Sequence, residues 1–384
     1  MDNTVYYMPD EPLRFAGQDI EKLLSFAQSF DVSDITIQTG EAIIAEIYGR
    51  LHRITRRKLT NTEVGDIINY IYGPNGTTVM LSGDDIDTNY EFKPNRLSRY
   101  RYRVNATGCL IEGHQGIQIT LRTIPTDPPH LDAMGLPEEI VQAMAPSDGC
   151  VYVTGATGSG KSTLLASIIR NIAEDENANR KILTYESPIE FVYDNVSAPS
   201  CVISQSEIPK HLPSFAAGVR NALRRKPRLI LVGESRDYET INACLDAALT
   251  GHPVYTTVHS NGVAETMRRL VGSFPKEERR GKTIDIIETM RLIIWQKLVP
   301  TVDGKRTPLR EYLIFDDSMR DKLLNCEPTE VTLKTREILE NKGLTMYHDA
   351  KIKYDQGLIS KEIFNKAARI NEGASKDSKT PHEE

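Results

Sequence analysis

Cysteine and long apolar runs are scarce in this chain, and its charge balance reaches neither an acidic nor a basic extreme. The five cysteines, Cys109, Cys150, Cys201, Cys244 and Cys326, are scattered, odd in number and never spaced as C-x-x-C. That usage supports neither a disulfide framework nor a zinc site and fits a reducing cytoplasm. Apolar runs such as Leu292 to Trp295 fall far short of the roughly 20 residues that cross a bilayer. The opening residues, MDNTVYYMPDEPLRF, hold acids and prolines where a signal peptide needs a basic start and an apolar stretch. Membrane contact is therefore expected only through a partner or the surface. With 47 Lys and Arg against 53 Asp and Glu, the net charge is -6, so bulk charge does not suggest a nucleic-acid partner.

A length of 384 residues exceeds the roughly 250 to 300 that one core serves, so two domains are expected. From Ile20, the residues Leu23, Leu24, Ala27 and Phe30 recur at helical spacing. A second helix starts at Thr60, where Thr60 and Glu63 make a capping box ahead of the face Val64, Ile67, Ile68 and Ile71. The stretches DITIQT, AIIAEIYG, YRYRVNAT and GIQITLRTI are rich in β-formers, and several alternate apolar with polar residues. Residues 1–122 thus read as a small α+β domain. Pro125, Pro128, Pro129 and Pro137 break regular structure, and 123–137 reads as a proline-rich linker. Over 138–370 the pattern changes: VYVTG, KILTYE, RLILVGE and PVYTTVH are compact apolar strands separated by helical segments, as in an α/β sheet covered on both faces. Ile241, Leu245, Ala248 and Leu249 line the helix after RLILVGE, and Gly251 stops it. Past Leu313 the chain turns helical and polar, and 371–384, with few apolar residues, is expected to be a disordered tail.

Directly behind VYVTG stands GATGSGKS, residues 155–162. Gly155, Gly158 and Gly160 let the backbone turn tightly, so that N–H groups from Gly155 through Ala156, Thr157, Ser159 and Lys161 converge on one anion. A helix N-terminus at Ser162 and Thr163 adds the favourable end of its dipole. Lys161 brings a positive charge to the β- and γ-phosphates, and the Ser162 hydroxyl suits Mg²⁺. The pattern implies ATP. Farther on, RLILVGESRD ends an apolar strand in Glu234, a carboxylate suited to stand beside the metal and to orient or deprotonate the attacking water.

Together these segments resemble the PilT-like family of secretion and pilus ATPases, RecA-type P-loop proteins, and most nearly the DotB and TraJ branch of type IVB secretion and conjugation. TYESPIEF is similar to the family's Asp-box, RLILVGESRDYET to its Walker B and TGHPVYTTVHSN to its His-box. SDITI, YRYRVNAT and LRTIP resemble segments of its PAS-like N-terminal domain. By this likeness Glu186 and Glu190 are the Asp-box acids, with Glu186 the better candidate to polarise water, although Ser187 replaces a commonly acidic neighbour. His259 would sense the γ-phosphate or relay its state to the next subunit, whereas His252 could equally close the preceding helix. Arg103 and Arg122 occupy positions from which the family's N-terminal domain reaches a neighbouring protomer's site, with Arg101 a weaker third. The basic stretch Arg224, Arg225, Lys226 and Arg228 departs from related chains. It reads as a solvated loop or as a contact to a subunit or acidic partner, and is too short to argue for nucleic acid.

The resemblance implies a homo-hexameric ATP-hydrolysing motor of a type IV secretion or conjugation machine, cytoplasmic and recruited to the inner membrane by other components. A pilus retraction motor, a RecA-like nucleic-acid motor and a scaffold that binds ATP without turning it over are the alternatives. The acidic balance disfavours the nucleic-acid motor.

Overall fold

The computed structural model describes residues 6–30, 32–47, 49–95, 98–124 and 127–368. Pro125 and Thr126 of the expected linker, and the whole expected tail 371–384, lie outside the described residues. The chain divides into two compact units, Met1–Thr126 and Asp127–Glu384. The division falls inside the expected linker, but much of that stretch is built into structure. Thr123 and Ile124 end a strand, and Leu131–Met134 form a 3-10 turn whose Leu131 joins the core of the second unit.

The first unit runs α1 (Asp19–Ala27), β1 (Val32–Gln38), β2 (Ile44–Ile47), β3 (Arg50–Arg53), α2 (Asn61–Tyr72), α3 (Gly76–Leu81), β4 (Ile86–Phe92), β5 (Tyr100–Ile111) and β6 (His114–Ile124). Its six strands form one antiparallel sheet in the order β3-β2-β1-β6-β5-β4. Alternation along the strands turns Ile35, Ile37, Tyr102, Val104, Ile119 and Leu121 inward, against Leu23 and Leu24 of α1 and Val64, Ile67 and Ile68 of α2. The polar residues between them, Arg103 and Arg122 included, are turned outward.

The capping box forms as the sequence indicates, and it does more than cap. Glu63 accepts from the backbone N–H groups of Thr60 (2.8 Å) and Phe15 (2.7 Å) and from the Arg57 guanidinium (2.6 and 3.2 Å). One carboxylate thereby fastens the segment before α1 to the start of α2.

The second unit follows with α4 (Glu138–Ala143), β7 (Gly149–Thr154), α5 (Lys161–Glu174), β8 (Lys181–Glu186), β9 (Val202–Glu207), α6 (Phe215–Ala222), β10 (Leu229–Val232), α7 (Tyr238–Leu249) and β11 (Pro253–Val258). It continues through α8 (Val263–Gly272), α9 (Arg279–Thr289), β12 (Met290–Pro300), β13 (Arg306–Ile314), α10 (Asp317–Leu324), α11 (Val331–Lys342) and α12 (Met346–Asp355). Seven strands make a sheet in the order β13-β12-β7-β11-β10-β8-β9, parallel except for the β12–β13 hairpin at one edge. Every residue of β7, β10 and β11 is buried. Val151 and Val153 meet Leu164, Leu165, Ile168 and Ile169 of α5 on one face, while Cys150 and Tyr152 meet Ile241 and Leu245 of α7 on the other. Among the described residues no helix is long and apolar enough to cross a membrane.

The Glu63 anchor makes the stability of the first unit pH-dependent. Burial alone would raise this carboxyl, but the bonds from Arg57, Thr60 and Phe15 outweigh it and bring it from 4.5 to about 2. The contribution is complete above the unfolded value and is lost as pH falls toward the folded one. The difference in melting temperature between the wild type and Glu63→Gln should be wide at about pH 7 and nearly closed by about pH 2.5. A difference that does not change over that range would show that the charge is not what stabilises.

Candidate functional site

The site gathers where β7, β10 and β11 release their chains at one end of the sheet. Beyond Thr154 the backbone takes positive φ at Gly155 (144°), Gly158 (74°) and Gly160 (82°). Crowding is an independent reason for two of these glycines. A Cβ at Gly155 would collide with the Gln296 carbonyl oxygen, and one at Gly160 would lie 2.9 Å from Gln296 Nε2. The loop crest, Ala156, Thr157 and Gly158, stays exposed, whereas Ser159 and Lys161 are buried. Gly160 caps α5, whose first-turn N–H groups have no carbonyl one turn back to bond. Ser162 is exposed and Thr163 half-buried on that turn. The Ser159 hydroxyl is buried with no hydrogen-bond partner among the described residues.

Lys161 Nζ donates to the carbonyls of Gly155 (3.0 Å) and Ala156 (2.8 Å). Burial pushes its pKa down, while the charges of Glu234 and Glu190 oppose that fall. Glu234 follows β10, and its Oε1 lies 3.5 Å from Nε2 of His259, which follows β11. Backbone bonds register these ends: Ser235 donates to the Thr257 carbonyl at 2.9 Å, and Gly155 donates to the Val258 carbonyl at 3.4 Å. Glu234 and His259 are thus brought together at the end of the sheet where the glycine loop leaves β7. Glu186, at the end of β8, accepts from Thr184 Oγ1 (2.7 Å) and Gln205 Nε2 (3.2 Å). His252 sits at the end of α7, its N–H on the Ala247 carbonyl at 3.1 Å, and so closes that helix.

The arginines form a second set, on the outward face of the first unit's sheet. Arg103 and Arg122 are direct cross-strand partners on β5 and β6. Each guanidinium meets a carboxylate of its own sheet, Arg103 with Asp87 and Arg122 with Asp34, both at 2.8 Å. Arg101 is 5% exposed and lies 3.5 Å from Glu91.

Sequence reasoning missed Gln296 and Arg310. Gln296 Nε2 donates to the Ser159 carbonyl at 2.7 Å, and its Oε1 accepts from Arg310 Nε at 2.9 Å. Arg310 also donates to the carbonyls of Met134 (2.7 Å) and Gly135 (3.1 Å). Burial lowers the Arg310 guanidinium to about 10, with Asp349 opposing. A buried polar chain thus ties the glycine loop to the 3-10 turn ahead of α4. The one available signal was a glutamine inside the apolar run LIIWQKLV.

A glycine-walled loop, a lysine at the head of the following helix and an acid at a neighbouring strand end define an α/β nucleotide-binding domain of the P-loop, RecA-like class. Residues 96–347 match the family model described as type II/IV secretion system protein, and the chain belongs to that family. It is similar to a twitching motility protein of Neisseria gonorrhoeae, 34% identical over 351 residues, covering 89% of this chain and 90% of that protein. Its fold matches the crystal structure of the Legionella pneumophila ATPase DotB at TM-score 0.84 and 65% identity, over 94% of this chain and 98% of that one. The pilus retraction motor PilT, solved with bound ADP, matches at TM-score 0.80 and 28% identity, over 91% of this chain and 96% of that one. The chain is an ATPase of the secretion and pilus motor class, and it binds nucleotide.

Gln296→Leu would leave the Ser159 carbonyl and a buried guanidinium each short of a partner, at about 1–3 kcal/mol per orphaned group. Nucleotide affinity should fall by about tenfold or more and the melting temperature should drop. Gln296→Glu keeps the acceptor for Arg310, so it should restore much of the melting temperature but not the affinity. Equal affinities in all three proteins would mean that this contact does not shape the loop.

Proposed function

We propose that this protein is a Mg²⁺-dependent, homo-hexameric ATPase motor of a type IVB-like secretion or conjugation machine. One observation carries the reading: Lys161 opens α5 behind a glycine loop with no room for a Cβ at Gly155, and at the neighbouring strand ends Glu234 lies 3.5 Å from His259. The residues fit a nucleoside triphosphate. The walls of the loop exclude a Cβ at Gly155 and Gly160, and the exposed crest turns toward solvent. Gly155, Ala156, Thr157, Gly158, Ser159, Gly160, Lys161, Ser162 and Thr163 would hold the phosphates, Lys161 exchanging two carbonyl partners for phosphate oxygens.

Ser162 and Glu234 would hold Mg²⁺, which neutralises charge developing on the β- and γ-phosphates. Such an ion takes few protein ligands and keeps waters and phosphate oxygens, in keeping with one hydroxyl and one carboxylate. Glu234 or Glu186 positions the attacking water. Glu186 is aimed by Thr184 and Gln205, and Glu190 is the alternative acid because its charge bears on Lys161. His259, beside Glu234, senses whether a γ-phosphate is present. Arg103 and Arg122 serve the site of a neighbouring copy, where such guanidinium groups contribute about 10³–10⁵ in rate.

The 65% identity to DotB favours the type IVB-like machine. Pilus retraction is the second reading, favoured by 31% identity over 92% of this chain to the Pseudomonas aeruginosa retraction ATPase PilT. In either case the protein works in the cytoplasm and is held at the inner membrane by the machine's own components, without direct contact to nucleic acid.

Glu234→Gln should bind ATP with near wild-type affinity and hydrolyse it about 10²-fold slower or worse. Unchanged turnover would remove Glu234 from the reaction. Wild-type specific activity should rise with protein concentration as the ring assembles, and Arg122→Ala should flatten that rise. Activity independent of concentration in both would locate the whole reaction within one copy.

A further inference from the structure

The opposite end of the second unit's sheet carries a cluster of cations. Arg180 precedes β8 and Lys181 opens it, and Arg224, Arg225, Lys226 and Arg228 lie in the turn between α6 and β10. Hydrogen bonds hold these segments side by side: Arg180 on the Arg228 carbonyl (3.0 Å), Lys181 Nζ on the Arg225 carbonyl (3.0 Å) and the Arg228 N–H on the Lys181 carbonyl (2.9 Å). Arg225 reaches across to Ser204 of β9 at 3.0 Å. Because β7, β8 and β10 run parallel, this end is about 20 Å, one strand length, from the nucleotide loop.

The six cations differ in what they bond from the cations that are tied into the structure by ion pairs. Arg57, Arg170, Arg291, Arg336 and Lys353 each meet a carboxylate. None of the six forms an ion pair among the described residues, in a chain of net charge -6. Among the described residues Arg180, Lys181 and Arg225 bond carbonyls and hydroxyls, partners that leave their charge uncancelled. Lys226 is held at φ +52°, a left-handed conformation that costs a side-chain-bearing residue about 1–2 kcal/mol, at the exposed tip of the turn. Beside the cluster lies β9, the terminal strand of the sheet, whose Val202 is opposite Lys181 and 66% exposed.

We infer that this edge docks an Asp/Glu-rich segment of a partner protein. Four of the six are arginines, whose planar forks match carboxylates two bonds at a time. The exposed tyrosines Tyr70, Tyr72 and Tyr238 lie on other segments, so bases would find nothing to stack on here. A bilayer would find little apolar surface to bury beside the charges.

The test uses the full-length protein and a fluorescent ten-residue glutamate peptide, with a glutamine peptide as control. Wild type should bind the glutamate peptide alone, and more weakly as salt rises. The combined variant Arg224→Glu, Lys226→Glu, Arg228→Glu should bind about tenfold or more weakly with ATPase activity and melting temperature kept, and Arg224→Gln, Arg228→Gln should fall between. Lys276→Glu with Arg280→Glu, an exposed pair elsewhere, should leave binding intact. No binding by wild type, equal losses from both reversals, or patch-dependent binding of oligo-dT or phosphatidylserine vesicles in preference to the peptide would overturn the inference.

Discussion

The nucleotide end of this molecule depends on how closely the glycine loop packs against β12. The Gln296 backbone occupies the space a side chain at Gly155 would need, and the Gln296 amide holds the Ser159 carbonyl. A loop aimed at a phosphate must present N–H groups outward and so directs some carbonyls inward, where burial without a donor is costly. Gln296 answers that need for Ser159. Arg310 in turn satisfies the other end of the Gln296 amide and anchors it to the Met134 and Gly135 carbonyls. The same backbone engages Asp349 through the Arg310 N–H (2.7 Å), and Asp349 binds Lys353 of α12. The shape of the glycine loop is therefore set by strands and helices far along the chain from the motif itself.

This arrangement explains which parts of the molecule were legible in the sequence. The doubly covered strands β7, β8, β10 and β11 were evident as apolar runs, because a buried parallel strand has no polar face to obscure it. The Thr60–Glu63 cap was evident because its partners are three residues apart. The hairpin of β12 and β13 went unread, since nothing local in LIIWQKLV says that it pairs beside β7. Long-range pairings leave no periodic trace, and neither does β9, whose VISQSE has too little apolar content to stand out. The added work of Glu63 was equally hidden, because Phe15 lies 48 residues away.

Within the site, the motif residues themselves were plain and their electrical setting was not. Glu234 was marked by its strand end, and the parallel sheet carries it to His259. Glu190 was read only as a companion of Glu186, and nothing in its spacing from the strand places it relative to Lys161. Position after a cluster of turns, unlike position after a strand, cannot be projected from spacing.

The three arginines illustrate how burial separates holding from acting. Arg122 is 70% exposed and Arg103 45%, and each pairs with a carboxylate in its own sheet. Pairs this open to water are worth about 0–1 kcal/mol, so Asp34 and Asp87 orient the guanidinium groups without retaining them. A triphosphate offers more charge than either carboxylate, which favours the proposed exchange. Arg101, 5% exposed beside Glu91, is in the opposite position, since withdrawing it would leave a charge desolvated and unpaired. If arginines of this sheet serve a neighbouring copy, the cross-strand pair Arg103 and Arg122 are the two that can leave their partners cheaply, and Arg101 belongs to the scaffold that presents them.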